Sequence, residues 1–338
     1  MNFPEFQRFI IEAPGKSLKR IAVFNPLTIH KKSTRTKAVF ALVLVCFFWG
    51  TTWVASKKGV SYMPALQLAG IRQLLGGLCF IVYFLCKGEP WPRGKEWRSI
   101  FILAFLNFFL SNALSTWGVK YISAGLGAIM GAIFPLWIVI IGLFTAGGKI
   151  PAKAILGLIL GFGGVCIIFY EHLDDFFRRD FLFGIAISLA ATWSWAIGTL
   201  YTKKHAAAFN PYFSLGLQMI ISSIAVLSIT QTTGMGISFT AIPWQAWAAI
   251  GYLILFSSIV TFIAYIYALQ HLPTVQVSVY AYINPIVAVL LGAILMGERL
   301  SIFIGIGGLV TLAGVFMADE IPWSSPCPGR QRSLRPGQ

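Results

Sequence analysis

The sequence predicts an all-α polytopic membrane protein whose ten transmembrane helices form two inverted five-helix repeats. Three observations carry this prediction: the composition, ten apolar runs of spanning length, and similarity between the two halves of the chain. Of the 338 residues, 57% are hydrophobic and 11% are charged, whereas a soluble protein carries about 25% charged residues. So few charges could not cover the water-exposed surface of a soluble protein of this size, which excludes that class.

Ten apolar runs follow one another from residue 38 onward. A helix needs about 20 apolar residues to cross the hydrocarbon core of a bilayer. The predicted spans are 38–56, 65–86, 98–117, 123–146, 152–170, 181–202, 212–231, 244–268, 274–296 and 301–318. Residues 1–37 are expected to form a cytoplasmic extension. Residues 319–338, rich in Pro, Ser and Arg, are expected to form a disordered cytoplasmic tail.

The positive charges predict the orientation of these spans. Of the 26 Lys and Arg residues, 19 fall on the side of the termini, six fall on the other side, and Arg72 lies within a span. Because loops rich in Lys and Arg stay in the cytoplasm, both termini are predicted to be cytoplasmic, in an inner or plasma membrane. The net charge of +15 then reflects topology, and we expect no nucleic acid partner.

The two halves of the chain resemble each other, which places one repeat at 38–170 and the other at 181–318. An offset of 150 residues matches Pro135 with Pro285, Gly157 with Gly307, and Gly164 with Gly314. Because five is an odd number, the second repeat must enter the membrane from the opposite side. Secondary transporters use this architecture, with a binding site near the midplane where the halves meet and alternating access to it.

Polar stripes on helices 3 and 8 are the main candidates for a binding site. Residues four positions apart share a helix face, and such groups should face a cavity or another helix rather than lipid. The stripes are Asn107, Ser111 and Ser115, and their counterparts Ser257, Thr261 and Tyr265. Hydrogen bonding between helices remains the alternative explanation for any single residue.

Helices 1, 4, 6 and 9 add further candidates for the cavity wall. Trp49 is preferred over Trp53 because Trp53 lies nearer the span end, where tryptophan usually belongs to the interfacial belt. Residues before the matched prolines are included because proline permits a kink. The added candidates are Trp49, Met130, Phe134, Trp195, Thr199, Tyr280 and Asn284. An aromatic cavity with hydroxyls and amides suits a small amphipathic metabolite.

Arg72 is the one basic residue deep inside a predicted span. Two interpretations stay open: it binds an anionic group or pairs with a neighbouring helix, or it has a structural role at the repeat interface. No Asp or Glu lies inside a predicted span, which disfavours a dedicated proton relay. The five cysteines stand at irregular spacings without a CxxC pair, so we expect no metal site and no cofactor.

The end of each repeat carries a recognisable pattern. Residues 284–317 read NPIVAVLLGAILMGERLSIFIGIGGLVTLAGVFM, with a proline, a helix of small residues, a Gly-Glu-Arg-Leu turn and a glycine-rich last helix. Residues 135–168 follow the same plan, and Phe48-Trp49-Gly50 opens the first helix. Together with Arg72, these features resemble the EamA family of the drug/metabolite transporter superfamily over about residues 38–318.

The resemblance implies ten helices, inverted repeats and a central cavity through which amino acids or other small metabolites move, often outward. It places Glu298 and Arg299 in the family's turn, with a structural or anion-pairing role like that considered for Arg72. The first repeat departs from the pattern, because Gly147-Gly148-Lys149-Ile150 stands where Gly-Glu-Arg-Leu is expected. A symmetric role for Glu298 is therefore not expected.

The sequence thus predicts a secondary transporter that exports a small metabolite, an amino acid or related compound, by alternating access. No nucleophile–base pair, paired carboxylates or metal cluster is evident, so we expect no enzyme. The competing hypothesis is a polytopic membrane protein without transport activity, either an intramembrane enzyme or a scaffold. The expected partners are a small-molecule substrate and the lipid bilayer. Whether the chain forms a homodimer is left open.

Overall fold

The computed structural model describes residues 31–146, 152–170, 177–205, 209–272, 277, 280–298 and 301–319. All regular structure in these ranges is helical, and we number the long helices in chain order. They are α1 Lys31–Val60, α2 Ala65–Cys86, α3 Lys95–Gly118, α4 Ala124–Ala132 continuing as Phe134–Ala146, α5 Ala152–Tyr170, α6 Arg179–His205, α7 Pro211–Thr232, α8 Trp244–His271, α9 Tyr280–Met296 and α10 Ile302–Asp319.

The helices have the length and apolarity that a bilayer requires. Six of those in the described ranges (α1, α2, α3, α6, α7 and α8) are long and apolar enough to cross a membrane by themselves. The other four contain shorter apolar stretches of 10–17 residues. A helix suits this setting because it satisfies its backbone hydrogen bonds internally where no water is available. The protein is a polytopic membrane protein.

Each predicted span coincides with one of these helices, so the predicted all-helical fold class is confirmed. Helix α1 is longer than the predicted span at both ends, because it begins at Lys31, seven residues earlier and inside the predicted extension 1–37, and ends at Val60 rather than at residue 56. Residues 31–37 contain neither Pro nor Gly, so nothing in this segment breaks the helix where the apolar run starts. Residues 1–30 and the predicted tail from 320 onward lie outside the described residues.

Packing between the helices follows the repeat. Helix α2 packs against α7 and α5 packs against α10, so two pairs join equivalent helices. Helix α1 packs against α8 and α9, and its equivalent α6 packs against α3 and α4. Exchanging the two halves of the chain therefore reproduces the same set of neighbours.

Glycines at the α5–α10 contact show the symmetry at atomic detail. A Cβ atom on Gly164 would lie 2.6 Å from the carbonyl oxygen of Gly307, and one on Gly314 would lie 2.6 Å from the carbonyl oxygen of Gly157. The offset of 150 converts Gly157 and Gly164 into Gly307 and Gly314, so these two contacts are equivalent under the repeat. Early residues of one helix meet late residues of the other, so equivalent helices run antiparallel and the repeats are inverted.

A second symmetric feature is a widened π-helical segment in α3 and in α8. It covers Ala104–Ala113 in α3 and Leu253–Val260 in α8, positions that correspond under the same offset. The matched prolines act differently in the two repeats. Helix α4 is interrupted at Ile133, two residues before Pro135, whereas α9 continues through Pro285.

Candidate binding cavity

A large cavity lies in one half of the helix bundle. We call the end at which α1 begins and α10 ends the terminal end, and the opposite end, at which α1 ends and α2 begins, the distal end. The main cavity lies among α1, α2, α3, α4, α6, α8 and α9 in the distal half, and holds about 870 Å³, including space open to solvent. Cavities of this volume accommodate small-molecule ligands.

The wall of the main cavity combines hydroxyls, amides, indoles and one guanidinium. Its polar residues are Thr52, Ser56, Arg72, Asn107, Ser111, Asn112, Ser115, Thr116, Thr192, Ser257 and Asn284. Its aromatic residues are Trp49, Trp53, Trp195, Phe262 and Tyr280. No carboxylate from the described part of the chain contributes to this wall, so its formal charge is positive.

A second cavity lies in the terminal half of the bundle. It is bounded by α3, α6, α7 and α8 and holds about 660 Å³. Its polar residues are Glu96, Ser99, Asn107, Thr199, Thr202, Ser214, Gln218 and Tyr265. Asn107, Trp195 and Phe262 line both cavities, so the two spaces approach each other at the centre of the bundle.

Five aromatic side chains, which we call the aromatic barrier, separate the two cavities: Trp49, Trp195, Phe262, Tyr265 and Tyr280. The Trp49 ring centroid lies 5.0 Å from those of Tyr265 and Tyr280, 5.4 Å from Phe262 and 5.7 Å from Trp195. The indole nitrogen of Trp195 donates a hydrogen bond of 2.9 Å to the Tyr280 hydroxyl. Edge-to-face packing of this kind fixes the rings beyond simple burial.

Most of the site residues predicted from the sequence lie at one of these cavities. Eight line the main cavity: Trp49, Asn107, Ser111, Ser115, Trp195, Ser257, Tyr280 and Asn284. Thr199 and Tyr265 line the second cavity, where their hydroxyls lie 3.4 Å apart. The structure thus distributes the predicted residues over two spaces on opposite sides of the aromatic barrier.

Three predicted residues lie outside both walls. Met130 is fully buried in an apolar cluster of α4, and Phe134 stacks on Tyr280 with a centroid separation of 6.0 Å. The hydroxyl of Thr261 donates to the carbonyl of Phe256, five residues earlier. Thr261 directly follows the π-helical segment of α8, and its hydroxyl bonds within its own helix.

The π-helical segment of α3 explains residues that the sequence did not single out. A π-helix pairs residues five apart, so Asn112 and Thr116 join Asn107 and Ser111 on the cavity face of α3.

Trp53 also lines the cavity, because α1 continues to Val60 and Trp53 is not at its end. The longer helix could have been anticipated from the absence of breakers, but no sequence signal marks the π-helical segments.

Arg72 is 3% exposed and lines the main cavity. One terminal nitrogen (Nη2) donates a hydrogen bond to Oδ1 of Asn112, which also accepts one from Nε2 of Gln73 at 3.2 Å. The Nε of Arg72 has no hydrogen-bond partner within the described structure. Arg72 therefore pairs with a residue of a neighbouring helix and retains an unused donor.

Glu298 joins the two repeats at the distal end. Its carboxylate accepts hydrogen bonds from the backbone nitrogens of Ala124 (2.7 Å) and Gly125 (3.2 Å) at the start of α4. Within the first repeat, Nζ of Lys57 donates to three carbonyls just before α4, those of Val119, Lys120 and Ile122, at 2.7–3.2 Å. Glu298 thus connects the end of α9 to the start of α4, whereas Arg299 lies outside the described residues.

Comparison with known proteins identifies the family. The model of the EamA-like transporter family matches residues 36–170 and again residues 182–318. The chain belongs to the EamA-like transporter family. The two matches cover both halves of the chain, in agreement with the repeat in the structure, and the family resemblance seen in the sequence is confirmed.

Relatives of this EamA-like protein occur in bacteria and plants. The uncharacterized transporter YvbV of Bacillus subtilis is 26% identical over 86% of this chain and 93% of its own length. The uncharacterized inner membrane transporter YedA of Escherichia coli K12 is 28% identical over 78% of this chain and 83% of its own. A WAT1-related chloroplastic protein of Arabidopsis thaliana is 25% identical over 82% of this chain and 68% of its own length.

The fold is also found among solved structures. One crystal structure aligns with 86% of this chain and 98% of its own chain, with a TM-score of 0.59 and 16% sequence identity. At this identity the match concerns the fold alone.

Proposed function

We propose that this EamA-like protein is a secondary transporter that exports a small metabolite, an amino acid or related compound, by alternating access. The observation that carries the proposal is the presence of two cavities in opposite halves of the bundle, separated by the aromatic barrier. A channel would need a continuous path between these spaces. A carrier needs the arrangement described, with a barrier that moves from one side of the ligand to the other.

Symmetry supports the same mechanism. Transporters with inverted repeats bind their substrate where the repeats meet and alternate access by rocking one repeat against the other. Here Trp49 of α1 and Trp195 of α6, which occupy equivalent positions in the two repeats, pack against each other with centroids 5.7 Å apart. Their contact lies between the two cavities, so a movement of one repeat against the other would change both openings together.

The chemistry of the main cavity supports a metabolite that is partly apolar. Three indole rings offer flat apolar surface, while Asn107, Asn112 and Asn284 offer amides. Amides both donate and accept hydrogen bonds, as the ammonium and carboxylate of an amino acid require. The cavity volume fits a ligand of that size.

The distribution of Lys and Arg residues supports an assignment of each cavity to one side of the membrane. With 19 of the 26 Lys and Arg residues on the side of the termini, the rule for positive residues assigns the terminal end to the cytoplasm. The main cavity then faces outward and the second cavity faces inward. An inner or plasma membrane location agrees with the inner membrane description of YedA.

Counterflow of radiolabelled amino acids in proteoliposomes tests the proposal. We expect saturable uptake of at least one compound, and a strong loss of uptake in Asn107→Leu, which fills the point where the cavities meet. Cys79→Leu is the matched control, because Cys79 is exposed on α2 and its replacement should leave uptake unchanged. Linear, unsaturable flux, or equal uptake by both variants, would contradict the proposal.

A further inference from the structure

Arg72 places a positive charge in the main cavity without a counter-ion. Its side chain is 3% exposed, and within the described residues it forms no ion pair and no carboxylate lines the cavity. A charge inside a membrane protein is costly unless it is paired or hydrated. The described part of the cavity wall therefore contains no negative charge that would balance Arg72.

The hydrogen bonds of Arg72 leave capacity for a ligand. A guanidinium has five N–H donors arranged as a fork that matches a carboxylate. The structure gives Arg72 one side-chain acceptor, Oδ1 of Asn112, which also serves Gln73. The Nε of Arg72 is buried and has no partner in the described structure. An unpaired donor on a buried cation adds to the cost of leaving the site empty.

We infer that the substrate carries one carboxylate that is anchored at Arg72, with its apolar part against Trp49 and Trp53. A single negative charge would balance the single positive charge of the wall, and a carboxylate would accept from the donors that Asn112 leaves free. A compound that carries only positive charge would be repelled, and a compound without a carboxylate would leave the charge of Arg72 unbalanced. This inference rests on the proposed function, because it names the class of compound that the main cavity binds.

Matched pairs of acids and primary amides test the inference by equilibrium dialysis with purified protein in detergent. The pairs are 3-phenylpropionate, L-phenylalanine and L-leucine, each against its amide. Within a pair the shape is nearly the same, so the ratio of affinities reports the carboxylate. We expect at least one acid to bind about ten- to hundredfold more tightly than its amide, the range for a hydrogen bond to a charged group.

Two variants separate an anion anchor from a structural role. Asn112→Asp keeps the side-chain shape but supplies Arg72 with an internal counter-ion, so the preference for the acid should disappear while the protein still elutes as a single species. Arg72→Gln should abolish the same preference and leave the weaker affinity for the amide. A purely structural arginine would lower both affinities together and leave their ratio unchanged.

The outcomes are distinct from those of the transport assay. Equal affinities, tighter binding of the amides, no binding of any acid, or an unchanged ratio in Asn112→Asp would overturn the inference. Dialysis reports the anion site whether or not the protein moves its ligand, whereas counterflow reports transport for any class of compound. Uptake that prefers amides would therefore leave the proposed function intact and overturn the anion anchor alone.

Discussion

Gly198 of α6 lies directly against the side chain of Asn107 in α3. A Cβ atom at Gly198 would collide with the amide oxygen of Asn107, and Asn107 lines both cavities. The absence of a side chain at one position thus makes room for a polar group at the centre of the bundle.

Gly198→Ala should therefore act on the cavities through Asn107. We expect a loss of stability of about 1–3 kcal/mol, as for other overpacked interiors, and a marked loss of uptake in counterflow. Gly251→Ala in α8 is the matched control, since no atom lies within 4 Å of its Cβ position. This control variant should gain up to about 1 kcal/mol of stability, which thermal unfolding measures. Full uptake by Gly198→Ala would contradict the assigned place of Asn107.

The sequence predicted those site residues that follow four-residue spacing and missed those that a spacing of five brings to the same face. Asn107 and Ser111 lie four residues apart and both line the cavity, as that spacing predicts, although they stand within the π-helical segment of α3. Asn112 and Thr116 were missed because the π-helical segment of α3 brings residues five apart onto one face. The widened turns depend on packing against distant helices, which local periodicity does not encode.

At the scale of elements, the start of α4 is held by side chains from two parts of the chain. Ser123 accepts a hydrogen bond from the Leu126 nitrogen at 3.0 Å, and Glu298 accepts from Ala124 and Gly125. Free N–H groups at the start of a helix favour such acceptors and negative charge. Gly297, with a φ of 67°, provides the left-handed turn that directs Glu298 back toward α4.

Removing the Glu298 carboxylate should loosen α4 in particular. We expect Glu298→Ala to lose about 1–2 kcal/mol of stability, with faster hydrogen exchange in the first turn of α4. Glu298→Gln should lose less because its amide oxygen still accepts. Glu96→Ala is the control, because the hydrogen bond that Glu96 accepts from the backbone nitrogen of Arg93 is exposed, and its loss should change stability by less than about 0.5 kcal/mol.

Exchange in α4 that stays at its wild-type rate in Glu298→Ala would show that the carboxylate does not hold this helix. This contact could not be predicted from the sequence, since Glu298 and Ala124 are 174 positions apart. The family resemblance placed Glu298 in the Gly-Glu-Arg-Leu turn, but the identity of its hydrogen-bond partners follows only from the way the repeats pack.

At the scale of the whole molecule, the inverted repeat determines the architecture. Spanning length and apolarity located the helices, because the bilayer imposes a minimum length on each. The offset of 150 residues predicted the symmetry that the Gly157–Gly314 and Gly164–Gly307 contacts display. Two separate cavities were not predicted from the sequence. The side-chain packing of the aromatic barrier decides where the central space is divided.

Accessibility of single cysteines tests the two-cavity arrangement, and hence alternating access, most directly. In a variant without native cysteines, Ser115→Cys reports the main cavity and Thr202→Cys the second. Leu78→Cys, exposed on the lipid-facing surface of α2, is the unreactive control. Without substrate, a membrane-impermeant thiol reagent should reach position 115 only from outside and position 202 only from the cytoplasm. Reaction of both positions from one side, or of neither, would contradict the account.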